Sequence, residues 1–147
     1  MTIWLPLEKW DQQRPFRLWL YSGQWFQTGI TLQPVRISRD PDWNPRWEEW
    51  HCYLFPLSVG TRDYQQLLAG YFSQIYPTRD AFDGPPEQRF DPCGPNWLGA
   101  EDWEKMAQAI RGEMDGMSAK RRRFYDAFLR WLEAALRHTS IIVAEGD

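Results

Sequence analysis

Several residue types and patterns are scarce in this chain of 147 residues, and each scarcity argues against a class of protein. There are only two cysteines, Cys52 and Cys93. A small secreted domain usually carries several disulfides, whereas two scattered thiols are typical of a reducing compartment. No apolar run approaches the ~20 residues that cross a bilayer, and the opening MTIWLPLEKW lacks the features of a signal peptide. The sequence therefore predicts a cytoplasmic protein that does not enter a membrane.

Motifs with a stated catalytic mechanism are also missing. No G-x-S-x-G, P-loop, H-E-x-x-H or G-x-G-x-x-G occurs. The possible metal ligands His51, Cys52, Cys93 and His138 lack the pairing at about two to five residues that structural zinc requires. The residues around Cys93 are mostly acidic, which favours its protonated thiol over the reactive thiolate. We therefore predict no catalytic residue, no metal site and no cofactor.

Charge is present but unevenly spread. The net charge is −3, made up of +3 over residues 1–39, −8 over residues 40–115 and +2 over residues 116–147. Nucleic-acid affinity comes mainly from Lys and Arg that neutralise phosphates, so the acidic middle makes a nucleic-acid partner unlikely there. An acidic surface instead steers a basic protein partner towards it.

One basic run, KRRR at 120–123, opposes this trend. It is short and lacks interleaved aromatic residues, although Phe124 and Tyr125 follow it. Four consecutive helical positions project around most of the helix circumference. A solvated face that pairs with the acidic middle is the favoured interpretation, with a partner contact as the alternative.

The first half of the chain has the period of two that is typical of strands. Strands are predicted over residues 2–7, 16–22, 24–28, 30–38 and 48–57. Ser22-Gly23 separates the second strand from the third, so residues 16–28 are predicted to form a hairpin.

The second half has helical spacing of its apolar residues. One helix is predicted from a Thr61 cap through Ile75, a second over 100–114 with Trp103 facing the core, and a third after a Ser118 cap. A long irregular stretch, 76–96, lies before the second helix, and SIIVAE (140–145) is a closing strand that needs a partner.

Strands followed by helices predict an α+β fold in a single domain over residues 1–147. We expect an antiparallel sheet of about four to five strands, with three helices packed on one face and the last strand returning to the sheet.

Tryptophan is unusually frequent, with ten residues. Each combines a large apolar surface with an N–H group, which suits cores, interfaces and stacking platforms. Most of the ten are expected in the core, but three lie in RDPDWNPRWEEW (39–50), where two prolines stiffen the loop and acids surround the rings. The alternative to partner binding is that these tryptophans fold back as a lid over the sheet and the acids only face solvent. Together with the later acidic loop, the residues predicted to bind a partner are Asp40, Asp42, Trp43, Trp47, Glu48, Glu49, Asp83, Glu87, Asp91 and Trp97.

Two segments, FDPCGPNWLGAEDWEKMAQAI (90–110) and FYDAFLRWLEAALRHTSIIVAEGD (124–147), carry a family resemblance. In size, architecture and closing pattern the chain resembles small bacterial proteins of the toxin-immunity type, which accompany polymorphic or contact-dependent toxins. The resemblance implies a cytoplasmic inhibitor that covers the active site of a cognate toxin. Many such toxins are basic nucleases, which matches the acidic middle of the chain.

We therefore expect a non-enzymatic protein that neutralises a bacterial toxin or effector, a basic domain, through an acidic, Trp-rich surface. Within this class, a phage-borne inhibitor of host defence and a subunit of a larger assembly are alternatives. A small hydrolase or transferase with a Cys or carboxylate site near residues 90–103 is the alternative from another class. A third idea is single-strand nucleic-acid binding by tryptophans of the sheet.

Overall fold

The computed structural model describes residues 16–34, 56–75, 90–92, 95–137 and 141–146, and its centre is a five-stranded sheet. The strands are β1 (Phe16–Leu18), β2 (Thr28–Pro34), β3 (Leu57–Gly60), β4 (Pro95–Gly99) and β5 (Ile141–Gly146). Their order is β1-β3-β2-β5-β4. β1 runs parallel to β3, and the other neighbours are antiparallel. The closing strand β5 returns to the sheet as predicted, between β2 and β4.

Three strands precede the helices, β4 lies between the first helix and the second, and β5 closes the chain. The mostly antiparallel sheet with three helices confirms the α+β class. The first is α1 (Thr61–Asp63), a π-helical segment (Tyr64–Leu68) and α2 (Ala69–Phe72) in one continuous run. The other two are α3 (Ala100–Glu113), extended by a 3₁₀ turn (Met114–Gly116), and α4 (Ala119–Leu136). The predicted Ser118 cap of the last helix is confirmed, because the Ser118 hydroxyl accepts the backbone N–H of Arg121 at 3.3 Å.

The main core lies between one face of the sheet and all the helices. Leu32, Leu57 and Ile142 supply the sheet side, and Phe72, Ile110 and Phe128 supply the helix side. Trp103 is fully buried, as predicted, and its indole N–H points at the carbonyls of Leu98 (3.2 Å) and Ile142 (3.3 Å). This shared donor fixes α3 to β4 and β5, since a buried indole N–H needs an acceptor.

The predicted hairpin over residues 16–28 is wrong. β1 ends at Leu18 and pairs with β3, in the register Phe16 opposite Leu57. Residues 24–27 are not a strand, and β2 begins only at Thr28. The physical reason is a competing acceptor: the carboxylate of Asp63 takes the backbone N–H groups of residues 20–22, so a hairpin ladder cannot use them.

Strand β4 was missed, because residues 76–96 were predicted to be irregular and to lead into the second helix. A proline at the first position of a strand is tolerated, since little of the ladder depends on its missing N–H. The helix does begin after Gly99, with Glu101 and Asp102 in its first turn, as predicted.

Other observed ends of strands and helices differ from the predicted ones. β3 runs to Gly60, beyond the predicted end at residue 57, so Gly60 rather than Thr61 is the N-cap of the first helix. That helix ends at Phe72, and Ile75 is buried just after it. The predicted strand over 2–7 and most of the one over 48–57 lie outside the described residues.

Candidate functional site

Most of the residues predicted to bind a partner lie outside the residues that the structure describes. These are Asp40, Asp42, Trp43, Trp47, Glu48, Glu49, Asp83 and Glu87. The predicted acidic surface therefore stays a prediction. The same holds for the possible nucleophile Cys93 and for the possible metal ligands His51, Cys52 and His138.

Of the two remaining predicted residues, Asp91 is held by a buried amide of β4, and Trp97 lies in β4 itself. The Asn96 side chain is 1% exposed. Its Oδ1 accepts the backbone N–H of Asp91 at 2.8 Å, and its Nδ2 donates to the Asp91 carbonyl at 2.7 Å and to the Ala144 carbonyl at 3.1 Å. Asp91 is exposed and Trp97 half-buried. Asn96 therefore fixes the Asp91 backbone to β4 and β5, while Trp97, the next residue of the strand, lies on the opposite face of the sheet.

A larger aromatic surface, which the sequence did not predict, lies at the other edge of the described sheet. Four large side chains are exposed within ten residues: Phe16 (46%), Trp19 (43%), Tyr21 (40%) and Trp25 (89%). We call residues 16–25 the aromatic stretch. Exposed Trp and Tyr side chains in one place are typical of binding surfaces. The only sequence signal was the placement of Trp19 and Tyr21 on the face of FRLWLYS opposite Leu18 and Leu20.

The backbone of the aromatic stretch is held in place by a buried carboxylate. Asp63 is fully buried, and its two oxygens accept the N–H groups of Leu20 (2.7 Å), Tyr21 (2.6 Å) and Ser22 (3.3 Å). In return, the Asp63 N–H donates to the Ser22 hydroxyl at 3.1 Å. Hydrogen bonds to an ionised acceptor are stronger than neutral ones. The exposed rings are therefore presented on a preorganised backbone.

A glycine permits this close approach. A Cβ built on Gly60 lies 2.5 Å from the Ser22 hydroxyl oxygen and 2.7 Å from its Cβ. No side chain larger than hydrogen fits there unless the stretch moves. The end of β3, the start of α1 and the aromatic stretch are thus one packed unit.

Beside the stretch lies a cleft of about 400 Å³, which we call the basic cleft. Trp19 lines it together with Lys120 and Arg123 from the first turns of α4. Leu18, Leu20 and Phe124 complete the lining. Within the described part of the chain, the cations of the 120–123 run make no salt bridge, so the predicted pairing with acids is not seen there.

Two tyrosines in edge contact, Tyr71 and Tyr125, link the three helices. The Tyr125 hydroxyl donates to the Leu67 carbonyl in the π-helical segment at 2.6 Å, and the Tyr71 hydroxyl donates to a Glu113 carboxylate oxygen at 2.9 Å. Burial raises the pKa of both phenols; for Tyr71 the Glu113 contact adds to the rise, while for Tyr125 the Arg121 guanidinium opposes it. Both phenols therefore stay protonated at neutral pH, and their hydrogen bonds connect neighbouring helices.

A second concavity, of about 420 Å³, lies between α3 and α4. Its apolar lining comes from Leu129, Leu132, Leu136 and Ala107, and charges of both signs line it as well, including Glu104, Arg111 and Glu133. Because residues of both charges line it, this concavity favours neither an anionic nor a cationic ligand. The described residues hold no group of three or more metal-ligating side chains, and none of the described helices is long and apolar enough to span a membrane.

No protein-family model, no curated protein and no solved structure matches this chain.

Proposed function

We propose that this protein acts by binding, and that a protein partner docks on the aromatic stretch. The observation that carries the proposal is the exposure of four large aromatic side chains within residues 16–25, a stretch whose central residues 20–22 are held by Asp63. Trp and Tyr dominate the binding energy of protein interfaces, because they bury a large area at a low entropic cost. A fixed backbone lowers that cost further.

The finer form of the proposal comes from the sequence. The resemblance to toxin-immunity proteins makes the partner a bacterial toxin or effector, inhibited by covering its active site. The acidic middle of the chain, net −8 over residues 40–115, would steer a basic toxin domain towards the protein. In this scheme the acidic residues set the association rate, and the aromatic stretch supplies most of the binding energy.

Where a toxin-like gene lies directly upstream of the gene for this chain, its product is the partner to test. Calorimetric titration with the wild type should show a stable complex. Trp25→Ser should weaken binding by at least tenfold, which is a loss of about 1.4 kcal/mol, and hot-spot residues commonly cost about 2 kcal/mol or more. Trp25→Phe, which keeps an aromatic ring, is the matched control and should lose less. Equal affinity for the wild type and the serine variant would contradict docking on this stretch.

The acidic steering is tested separately by charge reversal. Reversing Asp40, Asp42, Glu48 and Glu49 together should slow association with that partner and leave dissociation nearly unchanged. An unchanged association rate would place the steering surface elsewhere.

A further inference from the structure

The basic cleft differs in charge from any surface that a basic partner would occupy. Lys120 and Arg123 both line it, and none of its described lining residues is acidic. A basic partner docked on the aromatic stretch would not enter the cleft, because these two cations repel it. The charge of the cleft instead favours an anionic ligand.

Lys120 and Arg123 occupy positions at which the dipole of α4 disfavours positive charge. They lie in and just beyond the first turn of α4, whose end carries the positive pole of the helix dipole. Neither forms a salt bridge within the described residues. An anionic ligand would offset both the mutual repulsion of these cations and their repulsion by the helix.

The shape and chemistry of the lining narrow the class of anion. Leu18 and Phe124 are buried, while Trp19 forms a wall that is 43% exposed and has its face or edge available. The described side chains of the cleft offer hydrogen-bond donors but no carboxylate or amide acceptor. A fitting ligand thus combines a flat apolar surface with acceptor-rich negative charge.

We propose that the basic cleft binds single-stranded nucleic acid, with a base against Trp19 and phosphates near Lys120 and Arg123. One nucleotide supplies both the flat surface and the charge. Proteins that bind single strands without sequence preference combine a positive groove with aromatic stacking platforms in this way. An acidic protein segment would satisfy the cations but brings no stacking surface of its own. This inference goes beyond the proposed function and does not depend on the protein partner.

The test uses oligothymidylate of about 15 nucleotides, labelled with a fluorophore, and anisotropy at low and moderate salt. Trp19→Leu should weaken binding by roughly five- to hundredfold, the range for loss of one stacked base, and leave the salt dependence unchanged. Lys120→Gln/Arg123→Gln should instead flatten the plot of log affinity against log salt by roughly 1.4, for two phosphates on a single strand.

Matched controls separate this site from general charge attraction. Arg130→Gln/Arg137→Gln removes two charges from the same helix, roughly 10 Å or more further along its axis, and should leave most of the binding intact. An abasic strand of equal length keeps the phosphates but lacks the bases, so it should bind more weakly and be insensitive to Trp19→Leu.

Three outcomes would overturn the inference: no binding of oligothymidylate at low salt, equal loss in the two double variants, or polyglutamate binding as tightly as oligothymidylate. The last would assign the cleft to an acidic protein segment. None of these outcomes bears on Trp25→Ser and the protein partner, so the two proposals fail independently.

Discussion

The Asp63 carboxylate accepts the backbone N–H of Tyr21 at 2.6 Å across 42 residues of sequence. This contact joins the start of the first helix to the stretch that carries the exposed aromatic rings. It converts a segment with the sequence of a strand into a fixed loop. The position of residues 20–22 therefore depends on a carboxylate that is buried in the core.

Replacing that carboxylate should destabilise the protein. Asp63→Asn keeps the size but removes the charge and one acceptor oxygen, and we expect a loss of about 2–4 kcal/mol in the free energy of unfolding. Urea denaturation followed by circular dichroism measures it. Arg62→Gln, at the exposed neighbouring position, should change stability by about 0.5 kcal/mol or less. Faster amide exchange at Leu20 and Tyr21 in Asp63→Asn would identify the lost bonds, and unchanged exchange would contradict this role.

The Asn96 amide should be equally sensitive. Asn96→Ala leaves the Asp91 N–H and the carbonyls of Asp91 and Ala144 without this partner, and we expect a cost of about 2–3 kcal/mol. The control is Gln108→Ala at an exposed position of α3, which should be near neutral. If both variants unfold at the same urea concentration, the amide does not fix the Asp91 backbone to β4 and β5.

The free energy of unfolding should fall at alkaline pH because of the buried tyrosine Tyr125. Burial raises the pKa of Tyr125 above the ordinary value of about 10. Below pH 10 the phenol is protonated in both states, and its contribution to stability is fully present. As the pH rises through 10 the unfolded chain loses the proton first, so stability falls until the folded pKa is reached.

Tyr125→Phe provides the comparison for that pH dependence. It should lower stability by about 1 kcal/mol at pH 7, because the hydrogen bond to Leu67 is lost. It should also show a shallower decline between pH 9 and 11. A decline as steep as that of the wild type would show that other groups govern the alkaline transition. The measurement is the urea midpoint as a function of pH.

The elements that sequence predicted well are those with local signals. The repeating apolar positions of α3 and α4, the Ser118 cap and the burial of Trp103 all follow from residues within a few turns of one another. The closing strand was recognised because a short apolar segment must find a partner.

The relationships that sequence missed are long-range. Nothing near Phe16 indicates that it pairs with Leu57, and nothing near Tyr21 indicates that Asp63 will take its N–H. Likewise, the KRRR run has no aromatic residues interleaved with its cations, but the fold brings Trp19 from the first strand region to Lys120 and Arg123. The candidate surface is thus a product of tertiary packing, which single-sequence patterns do not encode.

Side-chain footprinting of the complex tests the central claim, that a partner protein covers the aromatic stretch. Trp25 is 89% exposed and should be oxidised rapidly by hydroxyl radicals in the free protein, whereas the fully buried Trp103 should be inert and serve as the internal reference. On saturation with the product of a toxin-like gene found directly upstream, we predict that oxidation of Trp25 and Tyr21 falls several-fold. A complex in which both residues are oxidised as fast as in the free protein would contradict the account.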